Sequence, residues 1–198
     1  IRTKQTILAN GYIERFISFR NNDLPGVMLA ASFEKYIHRY GVVPDENPVI
    51  FTNNSSTFSL LKSLIDLNHK PKAYVDIREQ KKIEEEIIEL LTKYNIPLYA
   101  KSEIEGCDGK NEIKKISVRI KKNEIIKIKA STLCVSGGLN PDIHLFTQSK
   151  GLLCWDKDLL TFKPYKVFQN TITLGSVSGN FSYKNVVNEV NEKLNFLQ

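Results

Sequence analysis

The feature that most restricts this chain is an alternation of patterns between residues 49 and 99. Val49-Ile50-Phe51 is a short run of branched and aromatic residues, and Asn53-Asn54-Ser55-Ser56-Thr57 is a polar bend after it. Phe58, Leu60, Leu61, Leu64, Ile65 and Leu67 then recur at helical spacing. Lys72 to Ile77 is extended again and ends near Asp76. Lys81 to Tyr94 is a second helical run, with Ile83, Ile87, Ile88, Leu90 and Leu91 inward, and Ile96-Pro97-Leu98-Tyr99 opens a third strand. Parallel neighbours need crossovers of about a dozen residues, usually a helix. The order strand, helix, strand, helix, strand therefore predicts an α/β fold, a Rossmann-like parallel sheet with flanking helices.

The flanking segments fit around that unit. Thr3 to Ala9 reads as a strand that Asn10-Gly11 ends. From Pro25 to Tyr40 the residues Val27, Leu29, Ala30, Phe33, Tyr36 and Ile37 form a helical stripe, with Asp23 as its expected N-cap and Gly41 as its stop. Pro44 to Pro48 is a linker. Ile113, Ile116, Val118 and Ile120, then Ile126 and Ile128, sit mostly two residues apart around Lys122-Asn123, which predicts a β-hairpin or meander. Ser131 to Val135 is a further strand. After Ser136-Gly137-Gly138 come short extended pieces at Leu152 to Trp155 and Thr161-Phe162, a strand at Thr171 to Leu174 closing on Gly175, and a helix from Ser178 to Leu197.

Charge and reactive side chains exclude several functions. The net charge is +6, and Lys110 to Lys129 holds eight basic residues against Glu112 and Glu124, so the whole excess sits on the hairpin. Most of those bases are lysine, the poorer reader of bases and phosphates, and lysine also guards exposed sheet edges. No nucleic-acid partner is expected. No apolar run approaches the ~20 residues of a bilayer span and no signal peptide is evident, so a cytoplasmic location without membrane contact is expected. Cys107, Cys134 and Cys154 are too far apart for a CxxC pair or a zinc site. His38, His69 and His144 stand alone, so no metal site and no catalytic residue is assigned.

The bend at Thr52 to Thr57 stands where a dinucleotide fold carries GxGxxG, and Asp76 stands where the ribose-binding acid belongs. Thr52, Asn54 and Thr57 occupy all three glycine positions. Side chains there fill the path by which a diphosphate reaches the backbone, although Ser55, Ser56 and Thr57 could cap the helix or hold an anion. Two readings stay open: a Rossmann unit kept for its shape, or retained nucleotide binding.

Several stretches resemble the alpha subunit of heterotetrameric sarcosine oxidase. They are Gly11-Tyr12-Ile13-Glu14-Arg15, Asn21-Asn22-Asp23-Leu24-Pro25-Gly26-Val27-Met28-Leu29, Tyr40-Gly41-Val42, Phe51-Thr52-Asn53-Asn54, Val75-Asp76-Ile77-Arg78 and the block from Ser136-Gly137-Gly138-Leu139-Asn140-Pro141 through His144 to Ser149. Related amine and opine dehydrogenase subunits share parts of the pattern. The resemblance implies the two-domain disulfide-reductase architecture. Residues 45–135 would be the inserted NAD-domain-like module with a degenerate glycine loop. Residues 1–44 and 136–198 would be the discontinuous remainder of an FAD/NAD-binding-like module whose first half, with its own glycine motif, lies upstream. Met28 as the lone methionine and Ile1 inside an apparent strand suggest the same.

The resemblance further implies NAD in the intact alpha subunit and FAD and FMN elsewhere in the complex, with no cofactor expected on this piece alone. Asn10, Gly11, Gly175 and Ser176 match the family's cofactor-facing turns, and Ser176 replaces the acid that flavin reductases keep there. The implied reaction is oxidative demethylation of sarcosine to glycine. This piece would position cofactor and partner subunits (beta and the smaller ones) and be inactive alone, with a homodimer of the piece as a further possibility. The alternatives are a self-contained NAD(P)H-dependent reductase built on Asn53 and Asp76, and a non-catalytic basic module using the lysine hairpin.

Overall fold

Val49, Ile50, Phe51 and Thr52 are all buried, so their strand has a packing layer on each face. The computed structural model describes residues 3–121 and 124–194; Lys122 and Asn123, the expected hairpin turn, lie outside the described residues. The chain forms two compact units, Glu14–Gly138 and the residues up to Ile13 together with those from Leu139 on.

Strand β1 (Thr6–Leu8) precedes the larger unit, and β2 (Tyr12–Glu14) ends on its first residue. That unit holds β3 (Val27–Leu29), α1 (Ala30–Tyr40), β4 (Val49–Thr52), α2 (Phe58–Asp66), β5 (Ala73–Asp76), α3 (Glu85–Lys93) and β6 (Leu98–Ala100). It continues with β7 (Glu103–Asp108), β8 (Lys115–Lys121), β9 (Glu124–Lys129) and β10 (Leu133–Ser136). Five strands make one parallel sheet in the order β3-β10-β4-β5-β6, and β7-β8-β9 make an antiparallel meander.

Alternation along the central strands sorts the core into two layers. Ile50, Tyr74 and Cys134 pack against Phe33 and Ile37 of α1, Leu60, Leu61 and Leu64 of α2, and Ile87 and Leu91 of α3. Their neighbours Val49, Phe51, Ala73, Val75, Leu133 and Val135 pack against Ile104, Ile113, Ile116 and Val118 under the meander. Each fully buried aliphatic side chain contributes about 2 kcal/mol, so the two layers hold the sheet from both sides. The α/β reading of the sequence is correct, with a helix layer on one face and a β-layer on the other.

Three expectations need correction. The larger unit starts at Glu14, not at residue 45, because β3 pairs with β10 and α1 shares the helix-side core with α2. The segment from Pro25 is first a strand, and α1 begins after Leu29, so Asp23 is not its cap. The N-terminus of α1 is served instead by Glu14, whose Oε2 accepts the Ala31 N–H at 2.9 Å. At the other end Gly41 does stop the helix, in the left-handed conformation with its N–H on the Ile37 carbonyl. The run at Lys81–Tyr94 is split into a 3-10 turn at Gln80–Lys82 and α3.

In the smaller unit β11 (Leu139–Pro141) and α4 (His144–Gln148) are followed by the antiparallel pair β12 (Leu152–Asp156) and β13 (Thr161–Lys166). Strand β14 (Thr171–Thr173) lies parallel to β1. Gly175–Ser178 is a 3-10 turn, and the last helix, α5 (Tyr183–Leu194), starts five residues after the expected Ser178.

Candidate functional site

Ligands of open α/β sheets bind outside the carboxyl ends of the strands. In the larger unit those ends bring together the bend after β4, Asp76 at the end of β5, and Ser136 at the end of β10.

Side chains close the bend. Asn54 donates through Nδ2 to the Ser136 carbonyl at 3.1 Å, and its Oδ1 accepts the Ser56 N–H at 2.9 Å and the Ser56 hydroxyl at 2.5 Å. Ser56 Oγ also lies 3.0 Å from Ser136 Oγ. The Thr52 hydroxyl donates to the Asn54 carbonyl at 3.0 Å. None of residues 52–57 adopts a positive φ, the conformation that glycine brings to such loops. The expected capping of α2 by Ser55, Ser56 or Thr57 does not occur. Thr57 is buried, and its hydroxyl pairs with Tyr74 OH at 2.6 Å. Burial raises the Tyr74 pKa despite that bond, so the phenol stays protonated.

Asp76 is equally committed. Its side chain is 0% exposed and that of Arg78 18%. Oδ1 accepts the Arg78 N–H at 2.8 Å and Nε at 3.1 Å, and Oδ2 accepts Nη2 at 2.9 Å. Arg78 Nη1 continues to Ser55 Oγ at 3.0 Å and to Glu84 at 3.3 Å. Burial opposes the Glu84 charge, but hydrogen bonds from Ser55, its own backbone and Arg78, with the Arg78 charge, hold its carboxyl below the usual range. The acid that would receive a ribose is thus bound to a guanidinium from its own strand end. With no glycine in the bend and no free face on Asp76, the residues present do not fit a dinucleotide at this position.

The four residues singled out as cofactor-facing lie in the smaller unit. Gly11, Gly175 and Ser176 share a depression of about 270 Å³ with Ala9, Leu174, Val186 and Val190. Asn10 instead holds the neighbouring loop, its Nδ2 donating to the Asp142 carbonyl at 2.6 Å. A side chain added at Gly11 would meet nothing within 4 Å. Behind Gly175 lies Glu189, 8% exposed, whose Oε2 accepts the Gly175 N–H and Asn180 Nδ2, each at 2.8 Å. Lys193 reaches Glu189 Oε1 at 2.6 Å and the Thr173 carbonyl at 2.8 Å. Burial raises the Glu189 pKa, yet the bonds from Lys193, Asn180 and Gly175 outweigh it and leave the carboxyl below the usual range.

Sequence reasoning missed Arg78 and Glu189 as organisers. Asp-x-Arg at the end of a strand and Glu-x-x-x-Lys on a helix were the available signals, since both spacings place the pair on one side. The remaining candidates stay apart. His38 touches Ser63 on the helix surface, Cys107 and Cys134 are buried with thiols raised by desolvation, and no group of metal-ligating side chains occurs among the described residues.

Against known proteins, 183 residues of the chain are 31% identical to the sarcosine oxidase subunit alpha of Corynebacterium sp. strain U-96, covering 90% of this chain and 19% of that protein. This chain resembles the sarcosine oxidase alpha subunit along nearly its whole length. The Rhizobium meliloti (strain 1021) sarcosine oxidase alpha subunit matches at 31% over 167 residues, 80% of this chain and 15% of that one. The chain thus spans about a fifth of the sarcosine oxidase alpha subunits it matches. No family model matches it. Among solved structures, T. acidophilum thioredoxin reductase superposes with a TM-score of 0.68 at 15% identity, covering 92% of this chain and 60% of that one. L-proline dehydrogenase from P. horikoshii gives 0.59 at 20% identity, covering 88% and 30%. These likenesses show the fold alone, one that the chain shares with thioredoxin reductase and L-proline dehydrogenase.

Proposed function

We propose that this chain is the central nucleotide-fold region of a sarcosine-oxidase-like alpha subunit, serving oxidative demethylation of sarcosine by holding cofactor and partner subunits. Within it the two units divide the work. The smaller unit, around Gly11, Gly175 and Ser176, forms one wall of the nicotinamide dinucleotide site of the complete subunit, and the larger unit is a scaffold. FAD, FMN and the amine chemistry belong elsewhere in the assembly with the beta and smaller subunits.

The observation that carries this reading is the contrast between the two strand ends. The turns at Gly11 and Gly175 leave an open depression, whereas Asn54, Ser56 and Ser136 close the bend after β4 and Arg78 takes up Asp76. Gly11 and Ser176 fit the edge of a ribose or flat ring, the first by its open side and the second by its hydroxyl. The ionised Glu189 behind Gly175 disfavours a phosphate at that spot. Bound NAD would supply a hydride-accepting ring, while these residues orient it.

The test uses the complete alpha subunit with its partners. Gly11→Leu should lower the NAD retained through purification at least tenfold, and Asn54→Ala should leave it unchanged. Loss of NAD from Asn54→Ala, with Gly11→Leu unaffected, would place the dinucleotide in the larger unit and overturn the proposal.

A further inference from the structure

We infer that the free edge of β12 is a self-association surface, on which a second copy of this chain pairs its own β12 antiparallel and completes a four-stranded sheet. The surface lies within the smaller unit and does not depend on the cofactor reading. Unpaired sheet edges invite pairing with other chains, and folded proteins guard them with lysine, proline, short strands or a covering segment.

Among the described residues, the edge strands longer than three residues are β7, β9, β12 and β13. The backbone of Arg20 covers β7, bridging to Gly106 and accepting the Cys107 N–H at 3.0 Å. Strand β9 carries Glu124, Lys127 and Lys129, and β13 carries Lys163, Pro164 and Lys166. Strand β12 has no such guard. It reads Leu-Leu-Cys-Trp-Asp, without lysine or proline, and pairs with β13 alone. Its one charge is bound within the hairpin, where Asp156 accepts Lys163 Nζ at 2.7 Å and the Asp158 and Leu159 N–H groups, each at 3.0 Å. Leu152 and Trp155 stay about half exposed, and Trp155 meets Phe162 edge-on across the hairpin at 5.1 Å between ring centroids.

The strand is complementary to itself. Antiparallel pairing centred on Cys154 sets Trp155 of each copy opposite Leu153 of the other, an aromatic–aliphatic cross-strand pair. Asp156 then faces Leu152, Lys157 faces Gly151, and Lys150 stands level with Asp158, so no like charges meet. The contact is isologous and closes at two copies. A lone two-stranded hairpin is marginal in water, whereas more strands with an apolar face are not, which favours the paired form. Five residues of edge bury little area, so the dimer should be weak and concentration-dependent.

Sedimentation velocity on the full chain should show a monomer–dimer equilibrium that shifts with concentration. Leu152→Lys, which gives β12 the guard that β9 carries, should raise the dimer dissociation constant at least tenfold while leaving the circular dichroism unchanged. Should that variant fail to fold, cross-linking of the parent chain supplies the reading. Opposed residues in an antiparallel pair have Cα atoms about 4.5–5.5 Å apart, within the span of a disulfide. Cys154 is the one cysteine that is not buried. Added copper–phenanthroline, which takes up the two electrons, should therefore link two copies through Cys154, and Cys154→Ser should abolish the link. A chain monomeric at every concentration, a dimer indifferent to Leu152→Lys, or a cross-link that survives Cys154→Ser would overturn the inference. So would β12 amides that resist hydrogen exchange equally at all concentrations, since the edge would then be closed within one copy.

Discussion

Arg78→Ala is the substitution that most directly interrogates the larger unit. In the folded chain Asp76 has no exposure and receives three of Arg78's donors, the backbone N–H, Nε and Nη2. Alanine keeps the backbone N–H and removes both guanidinium donors, leaving a buried carboxylate under-bonded. Breaking a buried ion pair from one side costs ~3–5 kcal/mol. Because Arg78 keeps 18% exposure and one donor survives, the lower end applies, about 3 kcal/mol. Asp76→Asn with Arg78→Ala removes both charges, so the double variant should recover at least ~2 kcal/mol of the summed losses of Asp76→Asn and Arg78→Ala. The measurement is urea unfolding followed by circular dichroism, since Trp155 belongs to the smaller unit and its fluorescence reports that unit. Amide exchange at Tyr74–Asp76 localises the loss. A cost below ~1 kcal/mol for Arg78→Ala would mean that the pair behaves as a surface bridge. The argument that Asp76 is unavailable to a ribose would then fail.

Three further perturbations test other parts of the structure. Thr57→Val strands the buried Tyr74 hydroxyl and should cost about 2 kcal/mol, whereas Thr57→Val with Tyr74→Phe should cost less than the first change alone; thermal melts of the set decide it. Glu14 has its pKa raised by burial, so the native state holds its proton more tightly than the unfolded chain and stability falls as pH rises from about 4.5 through the folded value. Glu14→Gln, which keeps an acceptor for the Ala31 N–H, should therefore be more stable than the parent at pH 7 and equal to it below pH 4. Glu189 has the opposite sign. Its depressed pKa contributes stability above about pH 4.5 that is lost as pH falls through the folded value, so Glu189→Gln should flatten the acid limb of a Trp155 fluorescence stability curve. An unchanged acid limb would show that Glu189 titrates elsewhere.

The elements that were legible in the sequence are those whose side chains satisfy one strong rule. Strands β4 and β5 and helix α2 follow from runs and spacings that permit no second reading, and Gly41 ends α1 where a left-handed residue is needed. Strand β3 was not legible. Val27-Met28-Leu29 continues the helical stripe of α1, and it becomes a strand only because β10, more than a hundred residues later, supplies its partner. The same non-local cause moved the unit boundary from residue 45 to Glu14. At the site, composition predicted crowding after β4 but not how it is organised. Asn54 can bridge Ser56 and Ser136 only because β10 lies beside β4, a neighbour relation that a local pattern cannot encode. The Asp76–Arg78 clamp is a different case, since both members lie within three residues and their alternation on a strand end places them together. A carboxylate at a ribose position should therefore be read with the residue two places on: where that residue is an arginine, the fold has supplied its own cation, and the ligand has lost its acceptor.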